Sequence, residues 1–191
     1  ACGKRASNLR PDYVTGKGSS PVEECPENVP VDCNLLLEAT PGGRRASQND
    51  AWVLARAGSS LVSMAVEGKV SESFGPTLGE WQPDSSSGKR ERYSYLCEQL
   101  GLDQSIDETV RYQFLHRTAS ALIEARRLNA SRAIMLVHSF SQVDEGIQDY
   151  KKFLSLFGVS GDVNQLVPVG ERGGVDLSLC WVRGDKRYLD K

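Results

Sequence analysis

The chain lacks any close pair of cysteines from which a zinc site or a disulfide framework is built. Its five cysteines stand at 2, 25, 33, 97 and 180, odd in number and with no CxxC spacing. Its two histidines, His116 and His138, lie far from any of them in sequence, so a structural metal is not suggested. Reduced, mostly buried thiols are expected instead. No run of eighteen apolar residues exists, so nothing is expected to span a membrane. The start, ACGKRASNLRPDY, has no apolar core of a signal peptide, and a cytoplasmic protein is the expectation. No internal repeat appears. An excess of positive charge is also missing: 23 Lys and Arg stand against 25 Asp and Glu, a net charge of −2. This excludes a protein that holds nucleic acid by bulk electrostatics alone. It does not exclude a nuclease, in which a metal ion and a local basic strip supply positive charge where it is needed.

What is present suits one domain of ordinary size. At 191 residues, 39% apolar and 25% charged, the chain buries a real core and shows no sign of disorder or fibre. Residues 1 to 30 carry Pro11, Pro21, Pro26, Pro30 and the run GKGSS without a hydrophobic period, and read as an irregular arm. Residues 31 to 191 read as the domain. DCNLLLEA, from Asp32, predicts a short helix that stops at Pro41, followed by the loop GGRRASQN.

AWVLAR at 51 to 56 and LVSMAVEGKV at 61 to 70 predict a hairpin turning at AGSS. A long breaker-rich loop, SFGPTLGEWQPDSSSG, precedes a helix over KRERYSYLCEQLGL that stops at Gly101. SIDETVRYQFLHRTASALIEARRLN predicts a long helix opened by a capping box of Ser105 with Glu108, with Phe114, Thr118, Ala121, Leu122 and Ala125 on its apolar face. RAIMLVHSF at 132 to 140 has the near-continuous apolar run of a strand buried on both faces. DEGIQDYKKFLSLFG predicts an amphipathic helix, and NQLVPVG and VDLSLCWVRGD two further strands. This order is met best by an α/β or α+β fold, a mixed sheet with helices packed on it.

Side chains alternate across a strand, so Ser63, Ala65, Glu67 and Lys69 share one face. The preceding members are small, which predicts room for a ligand above Glu67 and Lys69. A turn near 57 to 60 makes paired positions sum to about 117, and this sets Asp50 opposite Glu67. Two neighbouring carboxylates repel unless a cation sits between them. A hard ion, Mg²⁺ or Mn²⁺, takes one or two carboxylates plus waters and substrate phosphate. Lys69 would then orient or deprotonate the attacking water and offset phosphate charge, and hydrolysis of a phosphodiester is the natural hypothesis. The plain alternative is an exposed ion pair of little consequence.

Around this centre, Glu72 is a candidate further ligand, and Arg44 and Arg45 on the glycine loop are candidate phosphate contacts, as are Lys89, Arg90 and Arg92. Gln113, Arg117, Ser120, Glu124 and Arg127 form a polar stripe on the long helix, with Gln113 and Arg117 one turn apart and able to face the site together. His116, at its border, reads as structural. Trp52, Trp81 and Trp181 read as core or rim aromatics, with Trp81 placed to stack on a base.

Asp50, a strand, Glu67 and Lys69 as ExK inside AVEGKV, and a helix behind them resemble the PD-(D/E)xK nuclease superfamily, the restriction endonuclease fold. The strings GGRRASQNDAWVLAR, VEGKVSESFGPTLGEW, RYQFLHRTASALIEARR and AIMLVHSFS also resemble an uncharacterised bacterial family of that type, over residues 35 to 184. The resemblance implies a metal-dependent nuclease with Asp50 and Glu67 as metal ligands, Lys69 as the catalytic lysine and Gln113 as the glutamine some branches place beside the site. It implies Glu38 as an acidic residue that certain members add from the first helix. The partner it implies is nucleic acid, DNA before RNA, and homodimers are frequent among enzymes of the fold, although no stripe here marks an interface. A non-catalytic nucleic-acid- or protein-binding module that keeps the fold is the alternative.

Overall fold

The computed structural model describes residues 49–189. The arm, the first helix with Glu38, the loop with Arg44 and Arg45, and Cys2, Cys25 and Cys33 lie outside the described residues. What is described is a mixed sheet with helices packed against it, as the order of elements predicts. Its five strands are β1 (Ala51–Ala57), β2 (Ser60–Lys69), β3 (Arg132–Ser139), β4 (Gln165–Arg172) and β5 (Val175–Arg183). They lie in the order β1-β2-β3-β5-β4, with β2, β3 and β5 parallel and the two outer strands antiparallel to their neighbours. Pro168, which cannot donate to a ladder, sits on outer strand β4 at a register shift.

The first hairpin turns through two residues, with Gly58 at φ 62, where a left-handed backbone favours glycine. Ala51 pairs with Val66 and Ala57 with Ser60, so paired positions sum to 117. β2 then leads by α1 (Leu78–Trp81), α2 (Ser87–Leu100) and α3 (Tyr112–Arg127) into β3 beside it, a parallel connection that needs such a crossover. The helix α4 (Ile147–Ser155) follows β3. α3 lies on β2 and β3, and α2 packs on α3. Phe114 of α3 meets Tyr150 and Phe153 of α4, and Tyr150 meets Trp181 of β5, so α4 closes the same core. Phe114, Leu122, Met135, Leu154 and Trp181 are fully buried there.

Three expectations are corrected. β3 is not buried on both faces: Ala133, Met135, Val137 and Ser139 are buried under the helices, while Ile134, Leu136 and His138 opposite are half-buried. The long helix begins at Tyr112 rather than at a Ser105 cap. Tertiary hydrogen bonds decide this, because the carbonyls of Glu108 and Val110 accept from the amides of Gly79 and Leu78 and draw 108–111 out as a strap along α1. The capping box belongs to the breaker-rich stretch instead. Thr77 accepts from the Glu80 amide and Glu80 accepts from the Thr77 amide, making the short helix α1 out of part of the expected loop.

Candidate active site

β2 delivers Glu67 and Lys69 to the face that α3 covers, and α3 delivers Gln113 and Arg117 from one turn apart onto the same spot. Glu67 is 3% exposed and Lys69 7%. The expected open room above this face is therefore filled. The small residues Ser63 and Ala65 admit the helix rather than a ligand, and the polar stripe of α3 lies against the sheet, with Ser120 and Glu124 buried. Arg127 covers the Glu124 carboxylate at 2.6 Å.

The Glu67 carboxylate is engaged at both oxygens. Its Oε1 accepts from Gln113 Nε2 and lies 3.0 Å from Lys69 Nζ, while its Oε2 accepts from Arg117 Nε at 2.6 Å. Lys69 Nζ also stands 5.0 Å from the centre of the Phe74 ring, a cation–π contact that leaves the ammonium between a carboxylate and an aromatic floor. Asp50 approaches from the start of β1. Its Oδ2 accepts from the Gly68 amide at 2.8 Å, on the backbone between Glu67 and Lys69, and the residue is exposed. Glu67, Lys69, Gln113 and Arg117 thus meet at the end of one strand, and Asp50 reaches the backbone between the first two. Arg117, expected to face nucleic acid, is in the first place the counter-ion of Glu67.

A family model described as a domain of unknown function (DUF6946) matches residues 38–186 of the 191. The chain belongs to this family. No curated protein and no solved structure matches the chain. The span shared with the DUF6946 family takes in every candidate site residue from Glu38 to Arg117.

Beside the cluster opens a cleft of about 380 Å³, with Lys69, Phe74, Tyr112, Gln113, His116 and Arg117 among its walls. The aromatic side of this cleft was not legible as a unit in the sequence. Trp81 stacks on Tyr112 at 4.1 Å between ring centres and Tyr112 on His116 at 5.7 Å, both nearly parallel. Trp81, a rim aromatic also weighed as a platform for a base, is occupied on one side by Tyr112, and Lys89 lies 5.3 Å from its ring and donates to its carbonyl. The spacing of Tyr112 and His116, one helical turn apart, was the signal available for this stack.

Glu72 does not join the site. Backbone amides, its own and those of Val70 and Ser71, hold its carboxylate and lower its pKa. Cys97 and Cys180 are free and buried as expected, and burial raises both thiols to about 11.

Among the described residues no three of His, Cys, Asp and Glu cluster as a metal site. The donors that fit a hard divalent ion are the two carboxylates of Asp50 and Glu67, the number that such an ion takes when waters and phosphate complete its shell. Glu67 would have to exchange one of its present partners for the ion. Arg117, bound to Oε2 alone, is the partner whose release leaves Lys69 and Gln113 in place.

His116 has a lowered pKa, near 3, chiefly through burial and then through the charges of Arg117 and Arg92. The unfolded ring takes a proton near 6.5, so between these values the unfolded chain binds more protons. Stability therefore rises with pH across that window and is lost on acidification. In an NMR titration from pH about 8 to about 5 the His116 ring resonances are expected not to move, as an exposed histidine's would. A midpoint near 6 for this ring would contradict its burial as a neutral group.

Proposed function

We propose that the protein is a metal-dependent nuclease that hydrolyses nucleic acid phosphodiester bonds, DNA before RNA, with Mg²⁺ or Mn²⁺ held by Asp50 and Glu67. The observation that carries this reading is the meeting of Glu67, Lys69 and Gln113 at a strand end, with Asp50 anchored to the amide between Glu67 and Lys69. The connection from a hairpin through a helix into a neighbouring parallel strand supports a restriction-endonuclease-like core. So does the place of the site, beside the end of a parallel strand where open sheets bind ligands.

When bound, the metal ion would polarise the phosphate and acidify a water at neutral pH. The chain's own side chains do the rest. Lys69, fixed by Glu67 and Phe74, places an ammonium where a phosphate oxygen gains charge. Gln113 holds Glu67 Oε1 and so fixes the rotation of that carboxylate. Asp50, exposed and braced by one amide, keeps an oxygen for the entering ion.

The alternative reading, a binding module that keeps the fold without cleavage, is favoured by one contact. The 2.6 Å pair of Arg117 with Glu67 closes the second carboxylate oxygen by an internal cation. Incubation with plasmid, single-stranded DNA and RNA in Mg²⁺, Mn²⁺ or EDTA separates the two. The nuclease reading expects products with metal and none in EDTA. Cleavage that persists in EDTA, or no cleavage of any substrate with either metal, would sink it.

A further inference from the structure

We propose that the cleft beside Lys69 and Arg117 binds a phosphate group directly, without a metal ion, through Arg117, Lys69 and the Tyr112 hydroxyl. Its walls carry two cations and no carboxylate. Among the described residues the one carboxylate paired with either cation is Glu67, which serves both at once. Arg117 spends its Nε on Glu67, and its buried Nη1 has no hydrogen-bond partner among the described residues. The buried Tyr112 hydroxyl and Arg92 Nε are likewise without a partner among them.

A guanidinium and an ammonium, nearly excluded from water and sharing one carboxylate, leave a net positive charge that an anion would offset. Donors on an arginine, a lysine and a phenol reach it from different sides, which suits a tetrahedral oxyanion better than a planar carboxylate. Tyr112 and Phe74 give the cleft apolar flanks, so a phosphate attached to a nucleoside fits it better than a bare ion does. The phosphate would be either the terminal group of a strand or an internal diester.

The inference rests on the cleft and not on the metal-dependent reading, and its test is run on the full chain in EDTA, so each can fail without the other. Calorimetric titration with inorganic phosphate, and with one dinucleotide carrying a 5′-phosphate or a 5′-hydroxyl, is expected to show saturable binding. Tighter binding of the phosphorylated form assigns the cleft to a strand end, and equal binding assigns it to an internal diester. Arg117→Gln is expected to weaken binding at least about tenfold, and Tyr112→Phe, which keeps the ring stack, about threefold. Arg56→Gln, at an exposed position beside the hairpin turn, is expected to change nothing. Absence of saturable binding of any probe, or wild-type affinity in a folded Tyr112→Phe variant, overturns the assignment.

Discussion

Glu67→Ala is expected to destabilise the fold by about 3–5 kcal/mol, as removal of one partner from a buried charge pair does. Glu67 is the shared carboxylate of Lys69 and Arg117, and all three side chains are nearly excluded from water. Removing it leaves two cations, nearly excluded from water, without their shared counter-ion and the Gln113 amide also unpaired. The charge, rather than the lost packing, makes the cost large. Replacing Arg117 by Leu in the same chain should therefore recover part of the loss, since it removes one of the two stranded cations. Denaturant midpoints of the three proteins measure both effects. A Glu67→Ala chain within about 1 kcal/mol of wild type would mean that water reaches this centre freely.

Lys69→Ala is expected to lower the turnover of nucleic acid cleavage by roughly 10²–10³-fold while leaving metal affinity nearly unchanged. The ammonium sits 3.0 Å from Glu67 Oε1 and over the Phe74 ring, so it is positioned in advance rather than drawn in by substrate. It donates no ligand to a metal ion. Its loss should lower kcat, through charge that develops in the transition state, and raise KM only as far as the same ammonium holds a ground-state phosphate in the cleft. A variant whose KM rises with kcat intact would make Lys69 a phosphate-binding residue only.

Local patterns carried the hairpin and the ExK face far into the structure. A short turn and a period of two leave few registers open, and the pairing of Ala51 with Val66 and of Ala57 with Ser60 follows from them. The same period placed Glu67 and Lys69 on one face, and the period of the helix placed Gln113 and Arg117 together. What the strings did not carry is how the two faces meet. The contact of Arg117 with Glu67 spans 50 residues, and nothing local says that a helix, rather than a ligand, fills the space over Ser63 and Ala65. The capping boxes show the same limit. Ser105 with Glu108 and Thr77 with Glu80 read alike, and carbonyls of 108 and 110 bonded to α1 decide which one opens a helix. Arg44, Arg45 and Glu38 remain expectations from sequence, outside the described residues.

Metal titration by calorimetry of the wild-type chain and of Asp50→Asn, in the absence of nucleic acid, decides whether Asp50 and Glu67 hold an ion between them. Asp50 is exposed and its anchor among the described residues is the Gly68 amide, which asparagine's carbonyl oxygen also satisfies, so the variant removes charge without removing the fold. Saturable Mg²⁺ or Mn²⁺ binding to the wild-type chain is expected, weakened at least about tenfold in Asp50→Asn. Equal affinity of the two proteins would contradict it, because no ion would then be held between Asp50 and Glu67.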